Sequence, residues 1–100
     1  MSDTFQAKTG EDLNLTVKRV SNGKLEFVMY NRTVVGNALT LEIIFKVGDV
    51  EFLVRTLTAF TGNNWVFSPQ TLLIPEGNLI FRTVGAGAAD KHAVQIGISE

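Results

Sequence analysis

The sequence predicts an all-β protein: a two-layer antiparallel β-sandwich of immunoglobulin-like or jelly-roll type, with eight or nine short strands. Three observations carry this. Apolar and polar residues alternate with a period near two, and no window longer than a turn or two repeats at 3.6. Turn residues punctuate the chain at short intervals: Ser21-Asn22-Gly23, Gly48-Asp49, Thr61-Gly62-Asn63-Asn64 and Pro75-Glu76-Gly77. Residues 39–60 specify a complete hairpin. A small closed barrel is the alternative architecture.

Residues 1–11 are polar and lack periodicity, so they read as an N-terminal arm on a single domain spanning 1–100. The first strand is 12–20, alternating Leu13, Leu15 and Val17, and 24–30 follows the Ser-Asn-Gly loop. An Asn-Gly turn pairs Arg19 with Glu26. A three-residue loop with Gly23 in the left-handed position pairs Val17 with Phe27 and Leu15 with Met29, and sets Lys18 opposite Glu26. The second register gathers apolar side chains on one face and is preferred.

A short strand is expected at 33–35. The central hairpin, 38–47 and 50–60, turns at Gly48-Asp49, with Gly at the first central position. This register opposes Val47 to Val50, Phe45 to Phe52 and Ile43 to Val54. On the other face it opposes Lys46 to Glu51, Ile44 to Leu53 and Glu42 to Arg55. Each opposite-charge pair contributes roughly 0.2–1 kcal/mol. Residues 65–67 form a short apolar segment ended by Pro69. Strands at 71–74 and 78–84 flank the Pro-Glu-Gly turn, 85–90 is a flexible Gly/Ala-rich hairpin loop, and 92–99 is the last strand.

Composition narrows the function. Cysteine is absent, so disulfides and thiolate metal sites are excluded. Net charge is -1 with no basic run, which argues against nucleic acid as a partner. No signal-peptide pattern opens the chain and no apolar run reaches a membrane span, so the expected location is the cytoplasm or an assembled particle, without membrane contact. Asn14-Leu15-Thr16 and Asn31-Arg32-Thr33 match the glycosylation acceptor pattern and read as chance matches.

No catalytic, metal or cofactor site is expected. His92 is the sole histidine, with no nucleophile or second histidine at a recognisable spacing, and reads as structural or solvent-facing. Gly85-Ala86-Gly87-Ala88-Ala89 lacks the Lys-Ser/Thr ending of a phosphate loop. Glu26, Glu42 and Glu51 have basic partners across strands, which speaks for structural carboxylates rather than a hydrolytic pair.

Two constellations remain. Ile44, Leu53 and Leu57 fall on the hairpin face that should meet water, bracketed by Glu42, Lys46, Glu51 and Arg55. Either this chain covers them, or they form an interface with another copy or another protein. Asn63, Asn64 and Trp65 could instead bind a glycan, the indole stacking on a sugar ring and the amides bonding its hydroxyls; Asn31, Asn37 and Asn78 could converge on them. The favoured expectation is a non-enzymatic assembly protein, homo-oligomeric or docked on a larger assembly, most concretely a virion or phage-particle decoration component. The alternative is a small carbohydrate-binding domain. Sandwiches of this size occur in both classes, so fold alone does not choose.

Overall fold

The computed structural model describes residues 2–19, 23–33, 37–69, 73–74 and 76–99. Parts of the expected loops and short strands, at 20–22, 34–36, 70–72 and 75, lie outside these residues. Nine strands are present: β1 (Ser2–Gln6), β2 (Asn14–Arg19), β3 (Gly23–Arg32), β4 (Leu39–Val47), β5 (Val50–Phe60), β6 (Asn64–Phe67), β7 (Leu73–Ile74), β8 (Gly77–Val84) and β9 (His92–Ser99). The first sheet runs β1-β9-β3-β6, with the short β7 also paired to β3, and the second runs β2-β8-β4-β5. All pairs are antiparallel.

This order decides between the two sandwich types. From β1 to β4 the chain changes sheet at every step, and it crosses again at the end, from β8 to β9. Setting aside β7, that is the strand order of a jelly roll. Among the sequence-adjacent strands, only β4 and β5 pair with each other. The residues expected as an N-terminal arm include an edge strand, β1, on β9.

Two expected hairpins therefore do not form. Strand β2 pairs with β8, placing Leu15 opposite Phe81 and Val17 opposite Leu79. Strand β3 pairs with β9 and β6, so neither of the two registers expected between β2 and β3 exists. Alternation fixes which face a strand buries. It does not fix the partner, because a chain arching to the other sheet keeps the same side chains inward. The face of β3 also changes: a bulge between Leu25 and Phe27 inserts one residue. Val28 and Tyr30 consequently point inward, and Met29 is exposed. Because β8 and β9 lie in different sheets, residues 85–90 connect two sheets rather than two strands of a hairpin.

One core fills the space between the sheets. Leu25, Val28, Tyr30, Val94, Ile96 and Ile98 face Val17, Leu39, Leu41, Ile43, Phe45, Leu79 and Phe81. Burying each such side chain stabilises the fold by roughly 1.5–3 kcal/mol. On the outer face of the same sheet as β3 and β9, Gly97 opposes Phe27, whose ring occupies the space a Cβ would need.

Candidate assembly interface

The β4–β5 hairpin forms as its residues dictate. Gly48 takes φ +59°, the sign the first central position of a type II′ turn requires. From the turn outward, Val47, Lys46, Phe45 and Ile44 oppose Val50, Glu51, Phe52 and Leu53. Beyond that point the register slips. Arg55 opposes Ile43 and Thr56 opposes Glu42, so the expected pairs Ile43–Val54 and Glu42–Arg55 are replaced. The reason is length: β5 has 11 residues and β4 has 9. Two bulges absorb the difference, one at Val54-Arg55 and one at Thr58-Ala59, where Ala59 takes φ 55°.

The first bulge relocates Leu57. One extra residue turns it from the outer face to the inner one, where it opposes Leu41 and packs on the core. Its expected exposure is thereby corrected.

Ile44 does lie on the outer face, opposite Leu53 on one side and Ile80 on the other. It is nevertheless only 2% exposed. The cover comes from β8. Arg82 Nε lies 3.3 Å from Glu42 Oε1, and Arg82 Nη2 lies 3.6 Å from Glu51 Oε1. Arg82 sits beside Glu42 in the ladder, whereas Glu51 sits beside Lys46. The arginine therefore crosses β4 over Ile44, its stem shielding the apolar side chain while its head meets two carboxylates. Lys46 still opposes Glu51, and Arg55 is exposed. Arg82 was missed because its place beside Glu42 arises from pairing between distant segments.

Within this hairpin, the tip stays open. Leu53 is 60% exposed and Phe52 is 55% exposed. Val47 and Val50 flank the turn and are exposed as well. Strand β5 ends its sheet, so among the described residues no strand pairs with its far side. Exposed apolar side chains on an unpaired edge offer both burial and backbone hydrogen bonds to an incoming strand.

The opposite end of the sandwich is polar and closed. His92 Nε2 lies 2.6 Å from the Glu11 carbonyl oxygen, which can only accept, so Nε2 carries the proton. Nδ1 then accepts the Tyr30 hydroxyl at 2.7 Å. Burial pushes the Tyr30 phenol well above its ordinary range, an effect that Arg32 partly offsets. Arg32, at the inward end of β3, donates Nε to Gly62 O at 2.7 Å and Nη2 to Phe60 O at 3.2 Å. Its charge is met by Asp90, with Nη1 to Oδ2 at 3.8 Å and both side chains fully buried.

Two aspartates fasten the Gly/Ala-rich loop. Asp12 accepts from Gly85 N, Ala86 N and the Thr83 hydroxyl, and Asp90 accepts from Gly87 N. A loop expected to be flexible is thus tied to both sheets. No group of three or more His, Asp or Glu is placed to hold a metal ion among the described residues.

The residues singled out for a glycan are only partly gathered. Trp65 is half-buried, packs on the core, and stacks on Phe67 with ring centroids 5.9 Å apart. Asn63 and Asn64 are exposed and linked by a side-chain hydrogen bond of 3.3 Å. Asn31 opposes Asn64 across β3 and β6. Asn37 instead bonds Gly85 O and Asp90, and Asn78 lies in the other sheet between Lys18 and Lys46.

No protein-family description matches the sequence, and no curated protein matches it. A solved structure of infectious bursal disease virus, Gx strain, is similar at 11% identity with a TM-score of 0.38, covering 95% of this chain. The chain spans 29% of that protein's length. The jelly-roll assignment rests on strand order and not on this likeness. No helix among the described residues is long and apolar enough to cross a membrane.

Proposed function

We propose that this chain is a non-enzymatic assembly protein that associates through the tip and free edge of the β4–β5 hairpin. The single observation that carries the reading is the exposure of Phe52 and Leu53, at 55% and 60%, on a strand with no neighbour on its far side. Val47 and Val50 extend the exposed apolar surface on the Phe52 face, Lys46 and Glu51 flank Leu53 on the other face, and Arg55 is exposed beyond the bulge. Ile44 and Glu42 have a different role here: with Arg82 they hold the outer face of the sheet closed. The partner is another copy or a larger protein assembly. The most concrete form of the proposal is a decoration component of a virion or phage particle.

Solution mass tests the reading. Sedimentation of the wild type should give a mass above 10.9 kDa that rises with concentration. Leu53→Glu should return it to the monomer while leaving the β-sheet spectrum intact. A wild type that stays monomeric at every concentration and binds no other protein would contradict the proposal.

A further inference from the structure

We infer that the partner at this edge is a second copy of the chain, paired antiparallel along β5 about a twofold axis at Phe52. The inference rests on the assembly reading above and deepens it by naming occupant and register. Hydrogen-bond phase sets the options. Val47 and Val50 close a two-residue turn, so Val50 and Phe52 direct their backbone groups at β4. Glu51 and Leu53 then direct theirs at the free edge. These are two donors and two acceptors that a second identical edge can satisfy.

Three registers use those groups. An axis at Glu51 sets that carboxylate against its own copy, and directly opposed like charges are destabilising. An axis at Leu53 requires Arg55 to oppose Glu51 of the second copy. The bulge turns the Arg55 backbone toward β4 and moves its side chain to the inner face, so that ladder breaks after one pair. An axis at Phe52 avoids both faults. Glu51 pairs with Leu53 of the second copy and Leu53 with its Glu51, giving four backbone hydrogen bonds. Phe52 meets Phe52 as a close, non-hydrogen-bonded pair, and Val50 meets Val54. The pairing stops where the bulge begins, so the bulge delimits the contact.

The contact is short. A stable standard interface buries roughly 1,600 Å² in total, and five residues of edge pairing bury much less. Association should therefore be weak and concentration-dependent, the behaviour of a contact that is reinforced by others in a larger assembly.

The absence of native cysteine allows a direct register test. Phe52→Cys and Leu53→Cys variants would be oxidised and resolved on a non-reducing gel, beside sedimentation of the unmodified protein. At the Phe52 axis the Cα atoms of position 52 approach to about 4.5 Å, within disulfide reach. Position 53 is offset by two residues from its own copy and lies beyond that reach. The expected result is a cross-linked dimer from Phe52→Cys and little from Leu53→Cys. Leu53→Pro, which deletes an N–H facing away from β4, should keep the fold and abolish dimerisation.

Cross-linking at 53 in place of 52 overturns the register. A dimer that cross-links at neither position, or that tolerates Leu53→Pro, overturns edge pairing and leaves assembly through another surface. A monomeric wild type that still binds a different protein overturns the second copy as partner and leaves docking.

Discussion

Leu53 directly opposes Ile44 across the β4–β5 ladder, yet Leu53 is 60% exposed and Ile44 only 2%. Side chains on one face and one rung differ because β4 lies between β8 and β5 and is spanned by the Arg82 ion pairs to Glu42 and Glu51, whereas β5 ends its sheet. This asymmetry separates the part of the hairpin that serves the fold from the part available to a partner.

Ile44→Ala should lower folding stability by about 2–4 kcal/mol, as removal of a buried branched side chain does. Leu53→Ala should change it by no more than about 0.5 kcal/mol. Arg82→Ala should fall between them, near 1 kcal/mol, because it uncovers Ile44 and breaks two partly exposed ion pairs. Urea denaturation of the three variants checks the order. Equal losses at 44 and 53 would contradict the asymmetry.

The polar end gives a prediction in pH. The buried Tyr30 phenol holds its proton well above the ordinary value of 10.0, whereas the unfolded chain releases it there. Below that pH both states keep the proton, and Tyr30 gives stability no slope. Above it the unfolded state binds fewer protons, so stability falls as pH rises toward the raised folded-state value. Tyr30 is the only tyrosine, so phenolate absorbance reports it alone. Phenolate should appear together with unfolding, and Tyr30→Phe should flatten the alkaline limb while losing the hydrogen bond to His92. Ionisation near pH 10 in a folded protein would contradict the burial.

Asp90→Ala should cost about 3–5 kcal/mol, because it strands the Arg32 charge in the interior. It also frees Gly87 N, which Asp90 holds at 2.8 Å. The double change Arg32→Met/Asp90→Ala should recover part of that loss, since no buried charge remains. Thermal denaturation of the single and double variants decides it. A double variant less stable than Asp90→Ala would show that the arginine contributes more than its charge.

Ala59 has φ 55° in the second bulge of β5, a conformation L side chains adopt at a cost of about 1–2 kcal/mol. Ala59→Gly should therefore raise stability, by up to about 1 kcal/mol after the added flexibility of the unfolded chain is counted. A shift of the urea midpoint upward checks it; a downward shift would mean the bulge is not strained.

The parts of this fold written in neighbouring residues were legible in the sequence. The Gly48-Asp49 turn, the four rungs nearest it, and the alternation of Val94, Ile96 and Ile98 are local. What escaped was set by pairing between distant segments. An Asn-Gly loop between two alternating strands reads as a hairpin, but β2 and β3 lie in different sheets. Bulges next to Leu25 and Leu53 carry no plain residue signal, and each reverses the faces that follow. That is why Met29 emerged and Leu57 turned inward. The cover on Ile44 comes from Arg82, 38 residues away in sequence and adjacent only because β8 pairs with β4. Tyr30, Arg32, Asp90 and His92 meet only once the ends of β3 and β9 are joined.

The Val50–Leu53 edge is the proposed seat of a second copy of this chain. Oxidative cross-linking of Phe52→Cys, read beside Leu53→Cys at the same concentration, tests it most directly. The expected result is a disulfide-linked dimer of twice 10.9 kDa from position 52 and monomer from position 53. Monomer from both, or dimer from position 53 alone, would contradict it.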